Sequence, residues 1–315
     1  MKIVVTEFIW PGALDRLRAA GEVVQADDLW RRTEELRAQV ADADALIVRN
    51  QTQVTRDLLA AAPRLQVVGR LGVGLDNLDL AAARERGVPV VFARAANATT
   101  VAEYVCAAML TVARRLTDAT TSVKVGQWDR QGFTGIELAG RTLGIVGIGD
   151  IGARIARRAQ AFGMAILASD PQVTANTFAV AEFGVELVDL DTLLARSHFV
   201  TLHVPLLPAT SQLVNAERLA RMRPDAWLIN TARGGVVDET ALHAALVAGQ
   251  PAGAVLDVRA QEPPPSGDPL AALPNVILTP HIAGLSAESG VRTARAVVDD
   301  VLRVLHGEAP LNPVG

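Results

Sequence analysis

Cysteine occurs once in the 315 residues, at position 106. A lone thiol can form neither an intrachain disulfide nor a cysteine metal centre, and the apolar neighbours of Cys106 make it a core residue of a helix. Basic residues do not cluster and the formal net charge is −4, so the charge gives no reason to expect nucleic acid or an anionic membrane face. Long apolar runs are missing too. The longest stretch without a charge, residues 197–216, is interrupted by His203, Pro205 and Pro208, and Glu7 falls too early for a secretory signal. A cytoplasmic, soluble protein is therefore expected. No His/Asp/Glu spacing suggests a metal, no serine sits in a nucleophile elbow, and no internal repeat or low-complexity segment occurs beyond the prolines at 263–265.

Half of the residues are hydrophobic, and the length suffices for two domains with cores of ordinary size. The stretch that organises the chain is residues 141–170, R-T-L-G-I-V-G-I-G-D-I-G-A-R-I-A-R-R-A-Q-A-F-G-M-A-I-L-A-S-D. It reads as strand 142–146, the glycine turn Gly147, Gly149 and Gly152 in G-x-G-x-x-G spacing, helix 153–162 and strand 164–169 ending at Asp170. Gly147 permits the tight turn, Gly149 lacks the Cβ that would hold a pyrophosphate away, and Gly152 lets helix and strand approach. The phosphates then meet the positive end of a helix. Asp170, eighteen residues beyond Gly152, stands where a carboxylate accepts from both ribose hydroxyls and repels a 2′-phosphate, which favours NAD over NADP.

Before this unit, β-rich and helical runs alternate: 3–6 and 13–20, 22–25 and 33–41, 45–48 and 56–62, 66–69 and 78–86, then 88–91. That rhythm predicts a parallel sheet covered on both faces. A five-turn helix over 97–116, capped by Asn97, Thr99 or Thr100, marks the crossover to a second domain, and the polar segment 124–140 follows. The alternation then resumes with strands at 185–187, 199–203, 226–230, 253–257 and 276–279, and with helices at 190–195, 216–222 and from the cap Asp238 to 248. A last helix, 287–305, has Val291, Ala294, Val298, Val301, Leu302 and Leu305 on one face and is free to pack back on the first domain.

Three ionisable residues lie at strand ends of the second domain: Arg233 in N-T-A-R-G-G, Glu262 in Q-E-P and His281 in T-P-H-I-A-G. An arginine fork holds a carboxylate, a histidine titrates near neutrality, and a carboxylate beside it fixes its tautomer. Together they could bind a 2-hydroxy acid and take its hydroxyl proton as hydride leaves. Singly each has a plainer reading: a surface ion pair for Arg233, a solvated loop for Glu262, a capped or core histidine for His281. His198, His203, His243 and His306 keep the plain reading.

These motifs, with V-R-N-Q-T at 48–52, G-R-L-G-V-G-L-D-N at 69–77, A-N-A-T-T-V-A-E-Y at 96–104, L-H-V-P-L at 202–206 and I-N-T-A-R-G-G-V-V-D-E at 229–239, resemble the D-isomer-specific 2-hydroxyacid dehydrogenase family, phosphoglycerate type, over nearly the whole chain. The resemblance implies an α/β protein of two doubly wound parallel-sheet domains. A flavodoxin-like substrate domain would span 1–97 plus 286–315 and a Rossmann NAD-binding domain 98–285, with the active cleft between them. It implies that Arg233, Glu262 and His281 form the catalytic set, Arg233 holding the substrate carboxylate and keto oxygen and His281, partnered by Glu262, acting as general acid–base. Gly72 and Val73 would offer N–H groups to the carboxylate. Asp150 and Ile151 would contact the pyrophosphate, Asp170 the adenosine ribose, Thr231 and Ala232 the cofactor, and Asp257 the nicotinamide amide. A homodimer through the NAD domain is implied. Two departures are visible: no regulatory domain follows within the chain, so serine feedback through one is not expected, and Ser169 precedes Asp170 where the family often has an aromatic residue.

The resemblance also implies that Arg49, with Asn50, Gln51 and Thr52, would face the far end of the substrate, with Arg70 and Arg94 as neighbours. An arginine there suits a second anion, phosphate or sulfonate; the plain alternative pairs Arg49 with a carboxylate of its own chain. V-R-N-Q-T and V-V-T-E-F resemble the sulfolactate members, leaving 3-phosphoglycerate, sulfolactate and glycerate/hydroxypyruvate open as substrates. Some relatives use the same fold as an NAD-sensing corepressor-like scaffold, the alternative reading here.

Overall fold

The structure is a computed structural model that describes residues 1–314. The chain forms two compact units, Met1–Asn97 together with the chain from Leu285 onward, and Ala98–Gly284. In chain order the elements are β1 (Lys2–Val5), α1 (Pro11–Ala20), β2 (Glu22–Gln25), α2 (Thr33–Val40), β3 (Ala45–Val48), α3 (Arg56–Ala60), β4 (Val67–Arg70), α4 (Leu80–Glu85) and β5 (Val90–Phe92). They continue with α5 (Ala98–Arg114), α6 (Leu116–Lys124), β6 (Thr142–Val146), α7 (Asp150–Ala161), β7 (Ala165–Ser169), α8 (Phe178–Glu182), β8 (Val185–Leu187), α9 (Leu190–Arg196) and β9 (Phe199–Leu202). The last are α10 (Ala216–Arg221), β10 (Trp227–Asn230), α11 (Glu239–Val247), β11 (Gly253–Leu256), β12 (Val276–Leu278) and α12 (Ala287–Leu305). Among the described residues no helix is long and apolar enough to cross a membrane.

The first unit is a five-stranded sheet in the order β2-β1-β3-β4-β5, every pairing parallel. β3 and β4 are buried along their whole length, as a strand covered on both faces must be, and their side chains are accordingly Val, Ile, Leu and small residues up to the terminal Arg70. The helix α12 lies on this sheet with Ala294, Val297, Val298 and Val301 buried at a spacing of three and four. Gly69 makes the approach possible: a Cβ there would lie 2.7 Å from Val301 and 2.8 Å from Val297. Ser286 and Ser289 form a capping box at its start. The buried Asp300 carboxylate accepts from the backbone N–H groups of Leu311 at 2.7 Å and Asn312 at 2.8 Å, tying the tail down so that Val314 N–H reaches the Val90 carbonyl.

One expectation about α12 fails. Val291, placed on its packed face, is 56% exposed, and Val297, passed over, is fully buried. Val291 has the right angular position but lies near the helix start, where it lines an open groove of about 400 Å³ with Trp10, Ala13 and Ala294 instead of being covered.

The second unit is a seven-stranded parallel sheet, β12-β11-β10-β9-β6-β7-β8. The strand order reverses at β6/β9, the place where such sheets bind ligands at their carboxyl ends. α5 and α7 pack together on one face, Val105, Cys106 and Met109 meeting Ile155, Ala156 and Ala159 in one core. α5 does not run to Leu116. Ile136 N–H takes the Ala113 carbonyl at 2.9 Å, Arg115 turns left-handed at φ 49, and a separate helix, α6, begins at Leu116. The end of α6 thus occupies the first residue of what reads as a polar linker. Asn97 does not cap α5, since its side-chain oxygen is buried without a hydrogen-bond partner, and Thr99 and Thr100 lie inside the helix.

The two valines of α12 separate packed from open positions. Val297→Ala should lower stability by about 1–3 kcal/mol in urea unfolding, whereas Val291→Ala should stay within about 0.5 kcal/mol. Equal losses would contradict the packing described.

Candidate active site

The three glycines of the turn after β6 do three different things. Gly147 has φ +90, and a Cβ on it would lie 2.7 Å from the His203 carbonyl oxygen. At Gly152 a Cβ would meet the Gly147 carbonyl oxygen at 2.5 Å and Ile145 at 3.1 Å, so its absence brings α7 against β6. A Cβ on Gly149 would meet no heavy atom within 4 Å. This residue is bare toward open space, at the N-terminus of α7, where the amides of Asp150, Ile151 and Gly152 have no acceptor within the helix. An open helix start of this kind is a candidate cradle for a pyrophosphate. Beyond β7, Asp170 turns toward the same loop: its carboxylate accepts from Ile148 N–H at 3.0 Å and from Gln172 N–H at 2.9 Å.

At the ends of the neighbouring strands, the buried Asn230 organises the turn that carries Thr231, Ala232 and Arg233. Its amide donates to the Arg233 carbonyl at 2.9 Å and its oxygen accepts from Ala232 N–H at 3.0 Å. Arg233 is extended, with one guanidinium N–H donating to the Ala232 carbonyl at 2.6 Å. Two polar atoms here are buried without a partner, Thr231 Oγ1 and His203 Nδ1. They follow paired strands, Asn230 lying opposite Leu202. Burial pulls the His203 pKa down to about 3, so its ring is neutral. Orphaned polar atoms beside a bare glycine turn are what a polar dinucleotide satisfies.

Gly234 lets a second loop pass against this turn, since a Cβ there would lie 1.8 Å from the Arg259 carbonyl carbon. Arg259 fixes that loop. Its nearly buried guanidinium donates to Glu239 at 3.0 and 3.1 Å and to Asp268, which push its pKa up, and its backbone N–H donates to Glu262 Oε1 at 3.0 Å. The other oxygen, Oε2, is 2.7 Å from His281 Nδ1. Nδ1 therefore carries a proton toward the carboxylate, and Nε2 is the nitrogen left to exchange one.

His281 is one of the few non-glycine residues with positive φ, at 56. Asp257, 1% exposed, holds it there. The Asp257 backbone carbonyl accepts from His281 N–H at 2.8 Å, and its carboxylate accepts from Ile282 N–H and Ala283 N–H at 2.8 Å each and from the Thr279 hydroxyl at 2.6 Å. The Thr279 proton being engaged, Tyr104 of α5 donates its own to Thr279 at 2.5 Å, and burial raises the Tyr104 pKa. Asp257, expected to hold a nicotinamide amide, thus has both oxygens engaged by the loop, with one lone pair on Oδ2 to spare.

In the first unit, residues 49–52 follow β3. The Glu7 carboxylate, 5% exposed, accepts from the backbone N–H groups of Arg49, Asn50, Gln51 and Thr52 at 2.8–3.2 Å and from the Thr52 hydroxyl at 2.8 Å. Among the described residues Arg49 makes no ion pair, so the carboxylate partner weighed for it is not found; its guanidinium stands 5.5 Å over the Trp10 ring. After β4, Gly72 N–H is engaged by the Arg70 carbonyl at 2.8 Å, which leaves the Val73 amide as the donor of the pair. Arg70 itself is buried and donates to the Leu71 carbonyl. His198 accepts from Thr142 N–H and is structural. Sequence reasoning passed over Glu7, Trp10, Tyr104, Asn230 and Arg259. Asn230, Tyr104 and Glu7 lie inside the runs N-T-A-R-G-G, A-N-A-T-T-V-A-E-Y and V-V-T-E-F, whereas Trp10 and Arg259 lie in none of them.

A Rossmann-ordered parallel sheet with this turn, acid and strand-end set defines a dinucleotide-binding α/β protein. Residues 106–283 match the family model described as D-isomer specific 2-hydroxyacid dehydrogenase, NAD binding domain. The chain is 45% identical over 317 residues to the D-3-phosphoglycerate dehydrogenase of Methanocaldococcus jannaschii, covering 100% of this chain and 59% of that protein's length. Among solved structures, the TT0316 protein from Thermus thermophilus has a TM-score of 0.93 at 38% identity, with 100% of both chains covered. The NADPH-dependent glyoxylate/hydroxypyruvate reductase from Sinorhizobium meliloti, solved with NADP and malonate, has a TM-score of 0.88 at 31% identity, covering 100% of this chain and 96% of that one. The chain belongs to the D-isomer specific 2-hydroxyacid dehydrogenase family, and residues 106–283 are its NAD binding domain.

Gly149→Val should fold with the stability of the parent and bind NADH at least about tenfold more weakly, because the added side chain fills only the open cradle. Gly152→Val should instead lose stability through its collision with Gly147 and Ile145. Normal NADH titration of the Gly149 variant would show that the dinucleotide sits elsewhere.

Proposed function

We propose that the protein is an NAD-dependent D-2-hydroxyacid dehydrogenase whose substrate carries a second anionic end. The observation that supports the chemistry best is the His281–Glu262 pair at 2.7 Å, held by Asp257 and Arg259 in the unit that bears the glycine turn. The nicotinamide supplies or accepts the hydride. The Arg233 guanidinium grips the substrate carboxylate and keto oxygen in a fork that favours charge on that oxygen. As the carbonyl is reduced, His281 Nε2 delivers a proton to the forming hydroxyl and draws one from solvent afterwards; in oxidation it removes the hydroxyl proton. Glu262 stabilises the protonated ring and keeps the tautomer. Asp150 and Ile151 would offer amides to the pyrophosphate, with Gly149 leaving room for it and Gly147 and Gly152 shaping the turn. Thr231 and Ala232 would help hold the cofactor, and the spare Asp257 lone pair would accept from its carboxamide. Asp170 favours NAD over NADP, in contrast with the NADPH preference in the name of the Sinorhizobium reductase.

From the first unit, Arg49 and the Val73 amide are our candidates for holding substrate anions, the Gly72 N–H being engaged by the Arg70 carbonyl. An arginine without an ion pair supports a dianionic acid, 3-phosphoglycerate or sulfolactate, over glycerate. Leu116, Val123, Val125 and Trp128, 50–78% exposed on and after α6, support a homodimer formed through the NAD-binding unit. A cytoplasmic location accords with the single cysteine. No observation favours the corepressor-like scaffold.

The test is initial-rate NADH oxidation against hydroxypyruvate, glyoxylate, pyruvate, 3-phosphohydroxypyruvate and 3-sulfopyruvate, repeated with NADPH. One dianionic acid should be preferred, with NADH. Arg49→Ala should raise KM for that acid by about tenfold or more and leave the KM for hydroxypyruvate nearly unchanged. Equal rises for both would refute the assignment of Arg49.

A further inference from the structure

The backbone of residues 49–52 is fixed from both sides. Glu7 takes its amides, and the Asn77 side chain donates to the Arg49 carbonyl at 3.1 Å and the Thr52 carbonyl at 2.7 Å. What the backbone leaves undetermined is the direction of the long Arg49 side chain. Trp10 settles it. The indole lies 5.5 Å from the guanidinium carbon, meets Phe8 edge-on at a centroid distance of 5.2 Å, and is pressed on Gly290 of α12, where a Cβ would lie 2.0 Å from the ring. Gly290 is thus the space into which the ring fits. Glu7, Phe8 and Trp10 follow β1 and Arg49 follows β3, and the sheet order reverses between β1 and β3. In a sheet of this order, that switch point is where ligands bind.

We propose that Trp10 is a specificity-determining positioning residue: its π face orients the Arg49 guanidinium toward the distal anion of the substrate without neutralising it. A carboxylate in the same place would also orient the side chain, but it would cancel the charge that a phosphate or sulfonate needs. An aromatic face attracts the cation through its quadrupole, and it gives way to a formal anion at small cost. The inference rests on the reading of Arg49 as the substrate's distal contact.

The experiment compares Trp10→Ala, Trp10→Leu and Trp10→Phe, alone and with Arg49→Ala, for KM and kcat on 3-phosphohydroxypyruvate and on hydroxypyruvate with NADH. Trp10→Ala and Trp10→Leu should raise KM for the phosphorylated acid by about three- to tenfold, with kcat and the KM for hydroxypyruvate near the parent values. Trp10→Phe, which keeps a π face, should restore most of the discrimination, and Trp10→Ala should add little once Arg49 is alanine. Thermal unfolding and NADH titration of each variant separate these effects from misfolding. If Trp10→Leu behaves as the parent, or if Trp10→Ala weakens both acids alike or adds its full factor to Arg49→Ala, the positioning role is wrong while Arg49 stands. An Arg49→Ala that treats both acids alike overturns the reading beneath it and this inference together.

Discussion

The Asp257 carboxylate is the interaction on which the candidate chemistry depends. A charge this deeply buried is tolerated only when hydrogen bonds replace its water, and the loop of residues 279–283 provides them. The exchange has a geometric result: two successive amides drawn to one carboxylate force His281 into the left-handed region, which a histidine adopts only when its surroundings impose it. The imidazole is thereby delivered to Glu262, itself set by a backbone N–H of the loop that Arg259 anchors. Removing either acid would leave the ring present but undirected.

The first unit repeats the device. Glu7, at the end of β1, gathers four consecutive amides after β3 just as Asp257, after β11, gathers amides after β12. In both cases a buried carboxylate past a parallel strand turns a neighbouring loop, otherwise the most variable part of an α/β fold, into a fixed support. Asn230 does the same for the Arg233 turn with a neutral amide. The candidate catalytic side chains project from supports of this kind, and they remain partly exposed: 44% for His281 and 38% for Glu262.

Much of this architecture could be read in the sequence because parallel strands buried on both faces appear as short apolar runs. The runs at 45–48 and 185–187 coincide with β3 and β8. The glycine turn was readable from its spacing, and Gly147 and Gly152 answer local steric needs while Gly149 faces open space. What stayed hidden was non-local. The break of α5 at Arg115 depends on the Ala113 carbonyl being taken by Ile136, and α6, with an interior of threonine and serine and exposed Leu116 and Val123, offers no apolar stripe to detect. Arg259 lies in a polar loop but is buried between Glu239, twenty residues earlier, and Asp268 of its own loop. Trp10 and Arg49 lie in separate βα units, and no spacing rule connects them.

The most direct measurement is a comparison of the parent protein with His281→Asn, following NADH binding by fluorescence titration and turnover with the preferred 2-keto acid. Asparagine keeps a polar side chain able to meet Glu262 but cannot carry the proton. NADH affinity should be unchanged and kcat reduced by about a hundredfold to ten-thousandfold. Turnover that survives the substitution would contradict the assignment of His281 as the acid–base, and with it a catalytic purpose for the loop that Asp257 holds.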